Sequence, residues 1–566
     1  MSKRFTRREF LKVSAMAAAA SVVSGCSPTL QRTEYLESYV APPEEGLPGE
    51  NLWYASTCRQ CAAGCGIIVR ASEGRARKVE GNPLHPLNQG KLCARGQAAL
   101  QELWDPDRLR NAVQQVQRGT REFEPLYWQD ALDRLAERLR GADPGAVAFL
   151  GGNVSTHLWA IVRRTVEALG ARTPVIYTLG DELSGQQALV QASDRLFGTA
   201  SVPLFDIASA DAVFSFGANF LETWLSPIHY SRAYAQMRRG LVGKRGYLVQ
   251  FEPRLSSTAA SADEWVPVKP GSEGQVALGL GKILVERGLA GGAQDAQIYE
   301  QVDLAEVSAA SGVPAEELER LAHIFASVSS AVAVPGGAVT GQRSGAAALS
   351  AVYGLNRLTN RLGQPGGVYL SAPAAGPDFT PAPLSTFAEV QDLIDDMAAG
   401  RVQVLLVHGA NPVFEIPAAQ GFAGALANVP FVVSFSSTVD ETAAQADLIL
   451  PDHTSLEGWG YYAPALTDRT VVSSQQPIKR PLYATRATVD VLLALARELG
   501  GQVAQALPWP NEVEFLQQTL ETLNDGSMPA EAYWAEWRRR GGHWSETEER
   551  GSPAVGGGLA EPLSLV

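Results

Sequence analysis

From residue 127 onward, short uninterrupted apolar runs alternate with longer stretches of helical periodicity. The runs at 146–150, 212–216, 246–251, 402–407 and 431–434 are too short for buried helices. Rich in Val, Phe and Leu, they predict strands covered on both faces. Between them, 130–139, 274–287 and 314–326 predict helices. Strands alternating with helices indicate α/β units with parallel sheets. The strands run into turns of small and polar residues: Gly151-Gly152-Asn153, Gly217-Ala-Asn219, Glu252-Pro-Arg254 and Gly409-Ala-Asn-Pro412. Ligands of such sheets sit beyond the carboxyl ends of strands, where small residues let backbone N–H groups approach phosphates. Each turn alone is equally a tight strand-to-helix connection. The matching pair, Gly217 with Asn219 and Gly409 with Asn411, suggests two related nucleotide-type sites. Glu252 is either an acceptor for ribose hydroxyls or a guanine edge, or a surface carboxylate.

Before residue 127 the texture differs. Short strands at 66–69 and 76–79, with a turn at 72–75, predict a hairpin, and 96–103 a helix. Around them stand Cys58-Arg-Gln-Cys61-Ala-Ala-Gly-Cys65 and, 27 residues further on, Gly90-Lys-Leu-Cys93-Ala-Arg95. Four thiolates in this arrangement match a cubane iron–sulfur cluster, one Cys per iron. A structural zinc site more often shows two CxxC pairs, and cysteines this close together make poor disulfide partners for one another. Both alternatives rank below the cluster.

The first residues read Thr6-Arg7-Arg8-Glu9-Phe10-Leu11-Lys12, then an Ala-rich apolar stretch too short to form a stable membrane span. This is the twin-arginine export pattern; the alternative is a basic amphipathic helix. Cys26 follows in Val23-Ser24-Gly25-Cys26-Ser27, a lipobox-like setting for lipidation, or a bystander beside a cleavage site. Acyl chains on Cys26 would hold the mature protein at the outer face of the cytoplasmic membrane. The chain of 566 residues is 45% hydrophobic and 19% charged, as expected of a large globular body. A net charge of −13, spread without long acidic runs, argues against nucleic-acid binding. The expected organisation is a signal at 1–26, a tether at 27–49, a 4Fe-4S module at 50–110, one α/β lobe from 111–150 with 330–500, a second from 151–329, and a tail at 501–566.

Together these segments resemble the molybdopterin oxidoreductase family, of the dimethyl-sulfoxide-reductase type. The resemblance rests on the cysteine motif, Asp105-Pro-Asp-Arg108, Glu252-Pro-Arg254, Pro270-Gly271, and Leu358-Thr-Asn-Arg-Leu-Gly-Gln-Pro-Gly-Gly367. Gly409-Ala-Asn-Pro412, the segment from Glu441 through Asp447 to Pro451, and Glu457 complete it. The tether and Trp53-Tyr-Ala-Ser are similar to the exported large subunit of alternative complex III and its polysulfide-reductase relatives. The resemblance implies a [4Fe-4S] cluster and a molybdenum bis-molybdopterin guanine dinucleotide, with Arg95 between cluster and pterin. It implies a ferredoxin-like iron–sulfur subunit and a quinone-reactive membrane subunit as partners.

The sequence departs from the family pattern in three places, one of them Pro270-Gly271-Ser272-Glu273 where the family has Pro-Gly-Thr-Asp. Where family enzymes ligate molybdenum, it reads Thr178-Leu-Gly-Asp181-Glu-Leu-Ser184, without a Cys. Ser184 or Asp181 is the candidate oxygen ligand, or each is a helix cap. After Gly501 too few residues follow for the family's closing β-barrel, so the resemblance implies either a separate chain supplying it or no bound pterin. Two functions are expected. One is a catalytic subunit using Arg95, Ser184 and His157, passing electrons through the cluster. The other is a non-catalytic scaffold or electron relay without molybdenum. His157, alone after Gly152-Asn-Val-Ser-Thr, also reads as a structural core histidine.

Overall fold

The computed structural model describes residues 50–178, 180, 185–239, 245–291, 296–342 and 344–553, all within one compact unit, Pro48–Val566. The twin-arginine segment, Cys26, the tether, Asp181 and Ser184 lie outside the described residues.

The N-terminal module is an antiparallel sheet of β1 (Asn51–Thr57), β2 (Gly66–Ser72) and β3 (Arg75–Gly81). Alternating residues Ile67, Val69, Ala71, Ala76 and Val79 face a small core with Leu87, Leu103, Leu456 and Ile478. The hairpin follows the sequence pattern. β1 adds an edge strand whose start exposes Leu52 and Trp53, so its alternation is weak.

The first α/β lobe is a seven-stranded sheet in the order β5-β4-β16-β15-β14-β6-β7. Its strands are β4 (Val113–Gln115), β5 (Phe123–Pro125), β6 (Val147–Gly151), β7 (Val175–Ile176), β14 (Val404–His408), β15 (Phe431–Ser434) and β16 (Leu448–Ile449). The five from β16 to β7 run parallel. Period-two geometry explains their unbroken apolar runs. Val147, Phe149, Val404, Leu406 and Val433 meet the helices Trp128–Gly141, Thr156–Leu169 and Thr488–Leu499. Ala148, Leu150, Leu405, Val407 and Val432 meet the helix Phe387–Ala398 on the other face.

The second lobe is a parallel sheet, β11-β10-β9-β12, of β9 (Ala212–Phe216), β10 (Tyr247–Phe251), β11 (Glu264–Val266) and β12 (Ala331–Pro335). The helix Glu273–Glu286 packs on it together with Ala315–Ser327 and Gly345–Leu358. A short pair, β8 (Pro203–Phe205) with β13 (Val368–Leu370), flanks it. The chain therefore changes lobes later than the sequence pattern placed the change. β7 belongs to the first sheet, and the stretch from β12 to β13 belongs with the second. The reason is the Ala-Val-Ala-Val-Pro run of β12, whose pairing partner β9 is set by tertiary register rather than by any local signal.

The stretch after 501 is built into the body. Phe515, Leu516, Leu520 and Trp537 enter the first lobe's core. β19 (Gly542–Trp544) completes an antiparallel sheet with β17 (Gly460–Tyr462) and β18 (Val471–Gln475). That sheet holds β1 through Thr57 Oγ1 donating to Ser474 O (2.7 Å) and Gln476 Nε2 to Ala55 O (2.6 Å).

Candidate cluster and cofactor site

The cysteine loops converge because two asparagines clasp them. Asn88 Nδ2 donates to Gly66 O (2.8 Å) and Lys91 O (2.7 Å), and its Oδ1 accepts from Gly66 N (3.0 Å). Asn82 N donates to Gly66 O and its carbonyl accepts from Gly90 N, both at 2.9 Å. The segment carrying Cys93 is thereby folded against the one carrying Cys65. Cys58 N donates to Cys65 O (2.8 Å), closing the short loop. All four thiols are free. Cys58 and Cys65 are buried and Cys61 and Cys93 half-buried.

Burial pushes the Cys58 thiol up to about 11 and the Cys65 thiol well above its ordinary value. Each is raised further by the charges of Cys61 and Cys93, so the four groups face one another. Among the described residues no group of three such ligands is placed to hold a single metal ion. Four free thiols on converging loops suit a cluster that takes one Cys per iron. No disulfide joins them.

The second element is a 410 Å3 cavity at the carboxyl ends of β6, β14 and β15, within the roughly 300–1,000 Å3 of small-molecule sites. The sheet order reverses between β6 and β14: one side continues to β7, the other to β15 and β16. Such a switch point is where open α/β sheets bind ligands. The two strand-end turns meet there at backbone distance. Gly152 N donates to His408 O (2.8 Å), and a Cβ on Gly152 would lie 1.8 Å from Gly409 O. Gly152→Ala is therefore expected to cost about 1–3 kcal/mol as an overpacked contact. It should also lower cofactor content, read by thermal melts and metal analysis of the purified protein; unchanged values would refute the contact.

The second lobe repeats this device. Its order reverses between β9 and β12, and there a Cβ on Gly337 would lie 2.0 Å from Gly217 O.

The other predicted groups occupy these turns in different ways. Asn411 bridges to the next loop, donating to Glu441 Oε2 (2.6 Å) and accepting from Thr442 N (3.1 Å) and Oγ1 (2.7 Å). Asn219 Nδ2 donates to Thr223 Oγ1 (3.1 Å). Glu252 is buried, and both its oxygens are engaged within its own turn, by Ser256 N (2.9 Å) and Gln250 Nε2 (3.1 Å). Its carboxylate shapes the strand end rather than facing open space, so neither an exposed carboxylate nor a free ribose acceptor describes it. Arg95 is exposed, on the short helix Ala94–Gln97, with no hydrogen-bond or ion-pair partner among the described residues.

His157 lines the cavity. It is 1% exposed, packs against Tyr461 and Phe515, and neither ring nitrogen has a partner among the described residues. Burial pulls its pKa from 6.5 to about 3, so the imidazole is neutral. Below pH 6.5 an unfolded chain takes up a proton here that the folded chain refuses until about pH 3. This contribution to stability is complete above pH 6.5 and declines as the pH falls toward 3. His157→Phe is expected to flatten the acid limb of stability over that interval in pH-dependent urea melts. An unchanged limb would exclude His157 as its source.

Other residues in the cavity wall carry chemistry that the sequence reading did not single out. His408 Nε2 donates to Asp452 Oδ2 (2.9 Å), leaving Nδ1 buried without a partner. Asp452 is held below the usual carboxylate range against the effect of burial, by His408 and by Thr488; Thr488 donates from both Oγ1 (2.7 Å) and N (3.1 Å). Burial, with Asp490 nearby, pushes Glu512 well up. His408 and Asp452 end or follow strands, which is the signal that would have found them. Glu512 sits on the helix Glu512–Glu521, in a stretch with no strand-end pattern.

Residues 52–104 match the molybdopterin oxidoreductase Fe4S4 domain, and 108–498 match molybdopterin oxidoreductase. The chain belongs to the molybdopterin oxidoreductase family. It is 30% identical over 467 residues to the menaquinone reductase, molybdopterin-binding-like subunit of Nitratidesulfovibrio vulgaris, covering 80% of this chain and 66% of that one. It is 24% identical to the arsenate respiratory reductase molybdopterin-containing subunit of Shewanella sp., covering 89% of this chain and 67% of that one. The chain thus spans about two thirds of the length of these relatives. Acetylene hydratase from Pelobacter acetylenicus shares the fold, at a TM-score of 0.70 and 18% identity, over 87% of this chain and 74% of that one. The family's cofactors are a [4Fe-4S] cluster and a molybdopterin. The residues fit both: four converging free thiols, and a switch-point cavity whose wall carries unpartnered buried nitrogens.

Proposed function

We propose that this chain is an exported, lipid-anchored oxidoreductase subunit that passes electrons to or from a quinone-linked respiratory complex. The observation that carries this reading is the direct contact between the cluster loop and the cofactor cavity, where Arg59 Nη2 donates to Asn153 O (2.6 Å). Its likeness to a menaquinone reductase subunit supports a quinone link. Among the described residues no helix is long and apolar enough to cross a membrane, so the reading assigns quinone contact to a membrane partner. A ferredoxin-like subunit relays electrons between them. The twin-arginine and Cys26 motifs supply export and anchoring, tested by mass analysis of the mature N-terminus for a diacylglyceryl Cys26.

When bound, the molybdenum–pterin group supplies the two-electron chemistry. The protein's own residues prepare its place. The paired glycine turns bring the strand ends together at backbone distance. Asp452 orients His408 through Nε2, leaving Nδ1 in the cavity wall. His157 offers hydrogen bonds without charge, and Glu512 lines the same wall. Metal analysis of the native complex tests the reading: about one molybdenum or tungsten beside about four irons per chain is expected. Four irons without either metal would leave an electron-relay subunit instead.

A further inference from the structure

Residues 483–486 are clasped between two parts of the first lobe. Ala484 N donates to Arg110 O (3.0 Å), and Trp128 Nε1 donates to Ala484 O (2.6 Å). Two cation–π pairs flank this clasp. The Arg110 guanidinium lies 5.5 Å from the ring centre of Tyr483, and that of Arg486 lies 4.9 Å from Trp128. Tyr483 and Arg486 are three positions apart, so the pairs are neighbours, within about 11 Å even along an extended chain. Both arginines are exposed, and neither guanidinium has a hydrogen bond or ion pair among the described residues. Asp490 feels the Arg486 charge without pairing with it. Elsewhere Arg238 and Arg540 also stack on aromatic rings, and each meets a carboxylate, of Asp263 and Glu546. Beside the two open pairs stands Tyr127, 84% exposed, at the start of the helix Trp128–Gly141. A guanidinium laid on a ring is already oriented, so it loses little freedom when a carboxylate takes its fork. Exposed Tyr, Trp and Arg together are the composition of interface hot spots.

We propose that this patch is the docking site of an acidic segment of a partner protein: a carboxylate seats on each of Arg110 and Arg486, and Tyr127 is covered by the same contact. Charge complementarity favours a protein segment over an anionic membrane. The chain carries a net charge of −13, and Asp107, Glu124 and Asp130, each three positions from Arg110 or Tyr127, are exposed. A flat anionic surface must approach those carboxylates as well as the two arginines. A narrow segment reaches the arginines alone. The inference concerns this surface and stands apart from the metal content that tests the function proposed above.

The test uses the native protein isolated with its partners under mild conditions and followed by mass photometry over dilution and salt series. R110Q/R486Q and Y127S are expected to keep the wild-type melting temperature and iron content. Each weakens the assembly by about thirtyfold or more, the loss that defines a hot spot. The wild-type assembly weakens as salt rises, and R110Q/R486Q reduces that dependence. R110K/R486K supplies amines for zero-length carbodiimide coupling, and a cross-link from position 110 or 486 to an Asp or Glu of another chain supports the proposal. Cross-links only within the chain, wild-type assembly in R110Q/R486Q, or a wild-type protein that is monomeric overturn it. Should R110Q/R486Q fail to fold, Y127S and the cross-links decide. Binding of the wild-type chain to phosphatidylglycerol vesicles that is lost in R110Q/R486Q assigns the patch to a membrane and overturns the proposal as well.

Discussion

Cys65→Ser is expected to remove the cluster outright, taking iron from about four per chain to near zero, with loss of the visible absorbance and EPR signals. Cys65 is buried, its carbonyl closes the short loop, and its side chain faces the other three cysteines. A serine hydroxyl is a hard, weakly acidic replacement for a thiolate and leaves one iron without its ligand. The effect reaches stability too, because metal binding and folding are linked. With both inner thiols raised by burial, the metal-free loop contains protonated sulfurs and little to hold 58–65 against 82–93 beyond Asn82 and Asn88. Cys93→Ser should behave alike, and Cys26→Ser should leave iron unchanged. Full iron in Cys65→Ser would refute the assignment of the four ligands.

The cysteine spacing was legible because a cluster fixes ligand chemistry locally: three corners on one loop need no tertiary information. The parallel strands were legible for a similar reason. Residues such as Leu405 and Leu406 must both be apolar because they enter different cores, and an unbroken run is the trace of that. Lobe membership was not legible. β12 and β14 are equally apolar, and only the pairing of Val332 with Val213 and of Leu405 with Ala148 separates them. Side-chain direction was not legible either, since nearness in sequence to a cluster cysteine does not set it. Arg95 emerges on the outer face of a short helix, while Arg59 is turned inward by Asn153, more than ninety positions away. The turn contacts of Glu252 were not legible: the same strand-end position that offers an acceptor also places it within reach of Ser256 N.

Removing Glu457 should be the largest single loss of stability outside the cluster. Arg108 Nη2 and Glu457 Oε2 meet at 2.6 Å with side chains 1% and 0% exposed. The pair joins the exit of the N-terminal module to the segment following β16, across 349 positions of sequence. Further contacts hold it: Arg108 Nη1 donates to Leu103 O (3.1 Å), and Glu457 accepts from Thr454 Oγ1 (2.9 Å) and Leu482 N (2.8 Å), while Arg108 Nε is buried without a partner among the described residues. Glu457→Ala leaves a guanidinium buried and uncompensated, at an expected cost of about 3–5 kcal/mol, read as a depressed melting temperature with a matching loss of bound iron. The double variant Arg108→Met with Glu457→Leu removes both charges and should recover much of that loss. Were the double variant worse than the single one, the pair would owe its importance to the neighbouring hydrogen bonds rather than to charge balance. The pH dependence follows from the same contacts. Burial alone would raise the Glu457 carboxyl, but Arg108 and the Leu482 amide hold it below 4.5. The stability it confers is complete above that pH and disappears as the pH falls through the lowered value. Glu457→Gln should therefore reduce the acid sensitivity of the native protein, while Arg108→Met should raise the carboxyl and shift the acid transition upward.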